Sequence, residues 1–147
     1  MELARHIGKG PVALDTAIFI YLIEEDPRRA PLVESLLARV DSGELEAVTS
    51  AITLLECLVV PYRHGDLGLA ERYEALLSRS RGLHLVELDR PLLRVAAQLR
   101  AALGMKTPDA LQIAAALRHR ATVFVTNDRR LPRVPGLEIA QLDDLNA

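Results

Sequence analysis

Short apolar runs alternate with longer amphipathic stretches along the whole chain. That alternation predicts brief buried strands separated by helices. Val12-Ala13-Leu14 reads as the first strand, and Asp15 ends it. Residues 16–25, rich in Ile, Phe, Tyr and Leu, read as a helix. Asp26-Pro27 is expected to open a second helix with Pro in its first turn, running to Asp41 until Ser42-Gly43 breaks it. Residues 45–48 give the next strand. Thr49-Ser50 is expected to cap a helix over 51–60 that Pro61 helps to stop. Leu67, Ala70, Tyr73 and Leu77 fall at helical spacing within 67–80. A third strand lies within 83–88. Asp89-Arg90-Pro91 then launches a helix that Gly104 ends. Thr107-Pro108-Asp109 combines a capping Thr, a first-position Pro and a first-turn acid, and the helix continues to Arg118. Residues 121–125 are the most β-branched run and give a fourth strand, followed by the turn Thr126-Asn127-Asp128. Residues 137–142 give a fifth. Such alternation implies a parallel sheet covered by helices on both faces.

Four acids fall where strands hand over to helices: Asp15, Glu56, Asp109 and Asp128. In an open parallel sheet those points share the crevice beyond the carboxyl ends of the strands. Each acid also has a local reading. Asp15 can cap the helix after it, Asp109 can complement a helix dipole, and Asp128 can serve a turn. Thr53-Leu54-Leu55-Glu56 matches a capping box. A helix starting from Ser50 instead places Glu56 inside it, among the apolar Ile52, Leu55, Val59 and Val60. Acids are rarely buried there without a partner. Together, four carboxylates in one crevice repel one another unless a cation sits among them. Hard Mg²⁺ or Mn²⁺ is the ion that carboxylates and water hold. Paired cations ~3.5–4 Å apart can clamp the attacking and leaving oxygens of an in-line displacement.

Composition narrows the picture. The 147 residues suit one domain, and a chain of that size buries ~70% of its unfolded surface without a disulfide staple. Aromatic residues make up only 3% and Trp is absent, so the core must be aliphatic. Cys57 is the only cysteine, which excludes an intramolecular disulfide and fits a reducing cytoplasm. It lies in an apolar run with no basic neighbour, as an inert buried thiol would. No secretory signal and no membrane-length apolar stretch is present, so the chain reads as soluble and intracellular. The net charge of −2 argues against a general nucleic-acid coat but leaves room for a nucleic-acid enzyme. Gly8-Lys9-Gly10-Pro11 lacks the full phosphate-loop pattern. Among the 18 basic residues, Arg63, Lys106, Arg129 and Arg130 are candidate phosphate contacts, with solvated surface charge as the plainer role for each.

The ordered motifs carry a resemblance. They are Val12-Ala13-Leu14-Asp15-Thr16 with the apolar helix after it, Thr53-Leu54-Leu55-Glu56, Thr107-Pro108-Asp109-Ala110-Leu111-Gln112-Ile113-Ala114, and Thr126-Asn127-Asp128-Arg129-Arg130-Leu131. The set is similar to PIN-domain ribonucleases of the VapC type, toxins of bacterial and archaeal toxin–antitoxin pairs. The resemblance implies a three-layer α/β/α sandwich with a mostly parallel sheet of about five strands. It implies one domain over residues 1–147, with residues 1–10 a short preface longer than many relatives have. It implies that Asp15 and Asp109 are the central ligands of Mg²⁺ or Mn²⁺. Glu56 and Asp128 would complete the acidic cluster, and Thr126 would support the ligands. Gln112 stands where many relatives carry His. The implied activity is endonucleolytic hydrolysis of RNA in the cytoplasm. The implied partners are a small antitoxin whose tail covers the active site and a second copy of the chain.

Three rival readings remain. A phosphoryl-accepting receiver domain has similar size and an acidic Mg²⁺ site. It would want an acidic pair after the first strand and a Lys after the last, whereas no Lys follows Lys106. A haloacid-type phosphatase would want Asp-x-Asp where Asp15-Thr16-Ala17 stands. A non-catalytic PIN-fold binding module would be expected to lose the acids, and all four are present.

Overall fold

The structure is a computed structural model that describes residues 7–8 and 10–145. Residues 1–6 and 9, most of the expected preface, lie outside the described residues. The strands are β1 (Val12–Leu14), β2 (Ala47–Ser50), β3 (Leu83–Val86), β4 (Val123–Thr126) and β5 (Glu138–Gln141). The helices are α1 (Thr16–Ile23), α2 (Ala30–Asp41), α3 (Ile52–Arg63), α4 (Leu67–Arg79), α5 (Arg90–Leu103) and α6 (Thr107–Arg118). The sheet runs β3-β2-β1-β4-β5, and every strand pairing is parallel. A receiver domain uses the flavodoxin-like order 2-1-3-4-5, so this order excludes that alternative.

Strand periodicity divides the interior into two cores. Side chains of a strand alternate between faces. Val12 and Leu14 of β1, with Val123 and Val125 of β4, enter one core with Ile18, Phe19, Val33, Leu36, Cys57, Tyr73 and Leu77. Ala13 and Phe124 enter the other with Leu92, Ala96, Ala110, Ile113 and Ala114. Helices α1–α4 therefore cover one face, and α5 and α6 cover the other, giving three α/β/α layers. The central strands β1, β2 and β4 are buried on both faces; β1 and most of β4 are accordingly apolar, while β2 ends in the buried Thr49 and Ser50. Helix α6 is buried continuously over 110–116 and lies flush on the sheet through small alanines. Cys57 is free and buried, and burial pushes its thiol up to about 12. No helix among the described residues is long and apolar enough to cross a membrane.

Several boundaries differ from the sequence expectation. Helix α2 starts at Ala30, with Pro31 in its first turn. Asp26 does not open it. Its Oδ1 accepts from the backbone N–H groups of Arg28 and Arg29, both at 3.0 Å, and closes a separate turn. Strand β2 extends through Thr49 and Ser50, so α3 begins at Ile52. Only Ser50 keeps a cap-like bond, accepting from Ile52 N–H at 3.2 Å. Pro61 lies inside α3, which continues to Arg63. Thr107 is the first residue of α6 rather than its cap, and its hydroxyl accepts from Arg100 Nη1 at 2.9 Å.

Candidate active site

Strands β1 and β4 are neighbours, with Leu14 paired to Val125. The next residues, Asp15 and Thr126, therefore face each other at the carboxyl end of the sheet. Asp15 Oδ1 accepts from Thr16 N–H at 2.8 Å, and Oδ2 accepts from the Thr126 hydroxyl at 2.6 Å. Thr126 Oγ1 also accepts from Asp128 N–H at 3.1 Å, fixing the turn after β4. One threonine thus ties two of the acids to one strand end. Glu56 comes from the second turn of α3, and its Oε1 accepts from the Thr16 hydroxyl at 2.7 Å. The apolar surroundings expected for it are not there. Leu55, Val59 and Val60 are 58%, 41% and 44% exposed, and Glu56 is held instead by Thr16. Asp109 enters from the first turn of α6. Among the described residues its carboxylate accepts no hydrogen bond.

Electrostatics group these acids. Burial, first of all, pushes the Asp15 carboxyl above its ordinary value. The Glu56 and Asp128 charges add to that, against hydrogen bonds from Thr126 and Thr16. Asp109 is also raised, by burial and then by the charges of Asp15 and Asp128. Asp128 moves the other way because the Arg130 side chain donates to it; Nε lies 3.1 Å from Oδ1. Arg130 N–H donates to the same oxygen at 2.9 Å. Lys106 lies close enough to lower both Asp109 and Asp128.

Two adjoining clefts meet at Asp128 and Arg130. One, of about 190 Å³, is lined by Lys106, Asp109, Asp128, Arg130 and Leu131 among others. The other, more open and about 540 Å³, is lined by Asp15, Tyr21, Thr126, Asn127, Asp128, Arg129 and Arg130 among others. The structure therefore brings Asp15, Asp109, Asp128, Thr126, Lys106 and Arg130 together, with Glu56 behind Thr16. Arg129 sits at the rim in a bidentate pair with Asp144, at 2.7 and 3.1 Å. Arg63 lies at the exposed end of α3 and lines neither cleft. Sequence reasoning missed Tyr21 and Asn127. Asn127 Nδ2 donates to Tyr21 Oη at 3.1 Å, and its Oδ1 accepts from Asp143 N–H at 3.0 Å. The one available signal was a Tyr, with its polar hydroxyl, inside an otherwise apolar helix run.

The donor set fits a hard cation. Among the described residues no three His, Cys, Asp or Glu side chains converge into a ready-made cage. Mg²⁺ does not need one, because it keeps several waters and binds through one or two carboxylates. Asp109, raised by burial and then by its acidic neighbours, accepts no hydrogen bond among the described residues and so keeps its carboxylate oxygens free for an ion.

A wholly parallel sheet thus carries acids from the end of β1, from α3, from α6 and from the β4 turn toward one edge. The PIN domain family model matches residues 12–137, and the chain belongs to that family. Among solved structures, the chain is similar to VapBC2 from Rickettsia felis bound to a DNA fragment from its promoter. That match has 21% identity and a TM-score of 0.68, covering 88% of this chain and 97% of that one. A toxin–antitoxin complex from Klebsiella pneumoniae matches at 21% identity and TM-score 0.63, covering 86% and 94%. FitAcB from Neisseria gonorrhoeae matches at 18% identity and TM-score 0.57, covering 91% and 99%. These likenesses show the fold. A search of curated protein sequences gives no significant match.

Proposed function

We infer that the protein is a metal-dependent endoribonuclease, the toxin of a VapBC-type toxin–antitoxin pair, formed by residues 1–147 as one domain. The observation that carries this reading is the placement of Asp15 and Asp109 together at the cleft edge of a PIN fold, where burial raises both carboxyls. In the reading, Asp15 and Asp109 hold the ion, and Glu56 and Asp128 complete the site directly or through water. When bound, Mg²⁺ or Mn²⁺ supplies a water of lowered pKa and screens the phosphodiester. Thr126 keeps the Asp15 carboxylate turned to the cleft. Lys106 and Arg130 offset the negative field that an approaching phosphate would meet. Hydrolysis proceeds by in-line attack of water on phosphorus with departure of the 3′-oxygen.

The likeness to the toxin–antitoxin complex from Klebsiella pneumoniae supports a small antitoxin as partner here. Leu55, Val59, Val60, Tyr62 and Leu67 are large, exposed and clustered on α3 and the start of α4, which supports a protein contact such as a second copy. A cytoplasmic location follows from the same reading. The test is RNA cleavage by purified protein with Mg²⁺ or Mn²⁺. Asp15→Asn and Asp109→Asn should each abolish it with the far-UV circular dichroism unchanged. Cleavage at the wild-type rate by either variant overturns the metal assignment. Inactivity of the wild type on every RNA tried, with normal growth on strong expression, favours a non-catalytic PIN module.

A further inference from the structure

Beneath the acids lies a buried chain of polar side chains whose direction can be read from its fixed donors. Gln112 is 2% exposed and sits one turn after Asp109 on α6. Its Oε1 accepts from Ser50 N–H at 3.2 Å. A backbone N–H can only donate, so the amide oxygen must face β2. The Gln112 NH₂ then faces the other way. It donates to Thr53 Oγ1 at 2.7 Å and to Thr16 Oγ1 at 3.1 Å.

The hydroxyl protons follow in turn. Thr49 has two partners that can only accept, the Leu14 carbonyl at 2.8 Å and Gln112 Oε1 at 3.5 Å, and gives its proton to the nearer one. The Thr49–Thr53 contact of 2.7 Å must then be donated by Thr53. Thr53 has no proton left for Thr16, and Thr16 already receives one from Gln112. The single Thr16 proton has two neighbours, Thr53 Oγ1 at 3.2 Å and Glu56 Oε1 at 2.7 Å. The carboxylate oxygen is the closer and the better acceptor, so the proton goes to Glu56.

We propose that Gln112 is a positioning residue of the acidic site, which sets the direction of this chain and so aims the Thr16 hydroxyl, and through it the Glu56 carboxylate. Gln112 lines neither cleft and touches no substrate in this account. Its role is to lock four elements in register: α6 carrying Asp109, α3 carrying Glu56, α1 carrying Thr16, and β2. Removing the amide leaves Thr53 Oγ1 without its donor. Thr16 can then turn its proton to Thr53, and Glu56 loses the bond that fixes its rotamer. The inference rests on the metal-site reading above.

Mn²⁺ binding by calorimetry on the full chain tests it without requiring catalysis. Gln112→Met keeps the volume and removes both donors. It should weaken Mn²⁺ binding by about tenfold or more, the usual scale for groups that orient metal ligands. Thr16→Val should cause a similar loss. The double variant should bind no worse than the weaker single variant, because both changes break one chain. Gln112→His, which retains a ring N–H donor, should recover part of the affinity. A merely structural role predicts lower melting temperatures with Mn²⁺ affinity unchanged, or additive losses in the double variant; either overturns the proposal. If Gln112→Met does not fold, wild-type affinity in Thr16→Val overturns it instead. Loss of Mn²⁺ binding in Asp109→Asn but not in Gln112→Met rejects the positioning role alone. Full binding in both rejects the metal site on which it rests.

Discussion

Two sets of aspartates in this molecule have opposite fates. Asp143 meets Arg29 in a bidentate pair at 2.7 and 2.8 Å, and that guanidinium holds its carboxyl at about 2. Asp89 and Asp144 are likewise lowered, by Arg118 and Arg129. Asp15 and Asp109 are instead raised, first by burial and then by other acids. The residue type is the same and the environment decides. Asp143, Asp89 and Asp144 each have an arginine within reach. At the cleft, the fold places carboxylates together and leaves Asp109 without a donor. Local destabilisation of that kind is expected where function rather than stability selects the arrangement.

The widest separation should come from making one substitution in both regions. Asp109→Asn is expected to abolish RNA cleavage and to raise the melting temperature in chelator. Asp143→Asn is expected to leave cleavage within a fewfold of wild type and to lower the melting temperature. About 1 kcal/mol moves a chain of this size by roughly 2–4 °C, so shifts of a few degrees in opposite directions are the expected readout. Shifts of the same sign would dissolve the contrast.

The pH dependence should divide in the same way. Asp15 and Asp109 are raised on folding, so their contribution is favourable below 3.8 and is lost as pH rises through their folded values. Asp143 is lowered, so its contribution is present above 3.8 and is lost as pH falls toward about 2. In chelator, Asp109→Asn should therefore gain most over wild type at neutral pH and nothing at pH 3. The deficit of Asp143→Asn should likewise be present at neutral pH and vanish near pH 2. Saturating Mg²⁺ should narrow the Asp109→Asn advantage, since an ion that binds only the folded state stabilises wild type by RT ln(1 + [L]/Kd). Thermal melts across pH, with and without Mg²⁺, check both signs.

The smallest effect belongs to Arg130, whose exposed side chain pairs with Asp128. Arg130→Ala removes a positive charge from the cleft and should lower the melting temperature slightly. The drop should be larger in chelator than in Mg²⁺, and larger at low salt than at high salt. A drop that responds to salt but not to Mg²⁺ would place Arg130 with the exposed rim pairs.

Much of this was legible beforehand because it is local. The three-residue strand β1, the Asp89 cap and the Gly104 stop of α5 each depend on neighbours in sequence, and each was read correctly. What was hidden depends on distant partners. Thr49 and Ser50 look like a helix cap, since hydroxyl side chains compete for nearby backbone groups. The Thr49 proton is instead committed to Leu14 across the sheet, and the strand extends through both residues. Glu56 was set apart from a simple cap by its apolar neighbours, yet three of them face solvent and Thr16 holds it. The chain from Gln112 to Glu56 joins residues from 16 to 112, and no spacing rule could assemble it.

The alanines of α6 give the two cores different tolerance to inherited change. Ala13 precedes Asp15 by two residues, Ala110 directly follows Asp109, and both lie in the same core with Ala114. Their methyl groups act as the spacer between the helix and the strand that carry the two acids. In the opposite core, large aliphatic side chains can exchange shapes at modest cost if volume is kept. Enlarging Ala13 or Ala114 would lift α6 from the sheet and widen the gap between Asp15 and Asp109. Lineages of this protein should therefore drift freely among Leu, Ile and Val under α1–α4 and hold small residues under α6, even where a larger side chain would still fold.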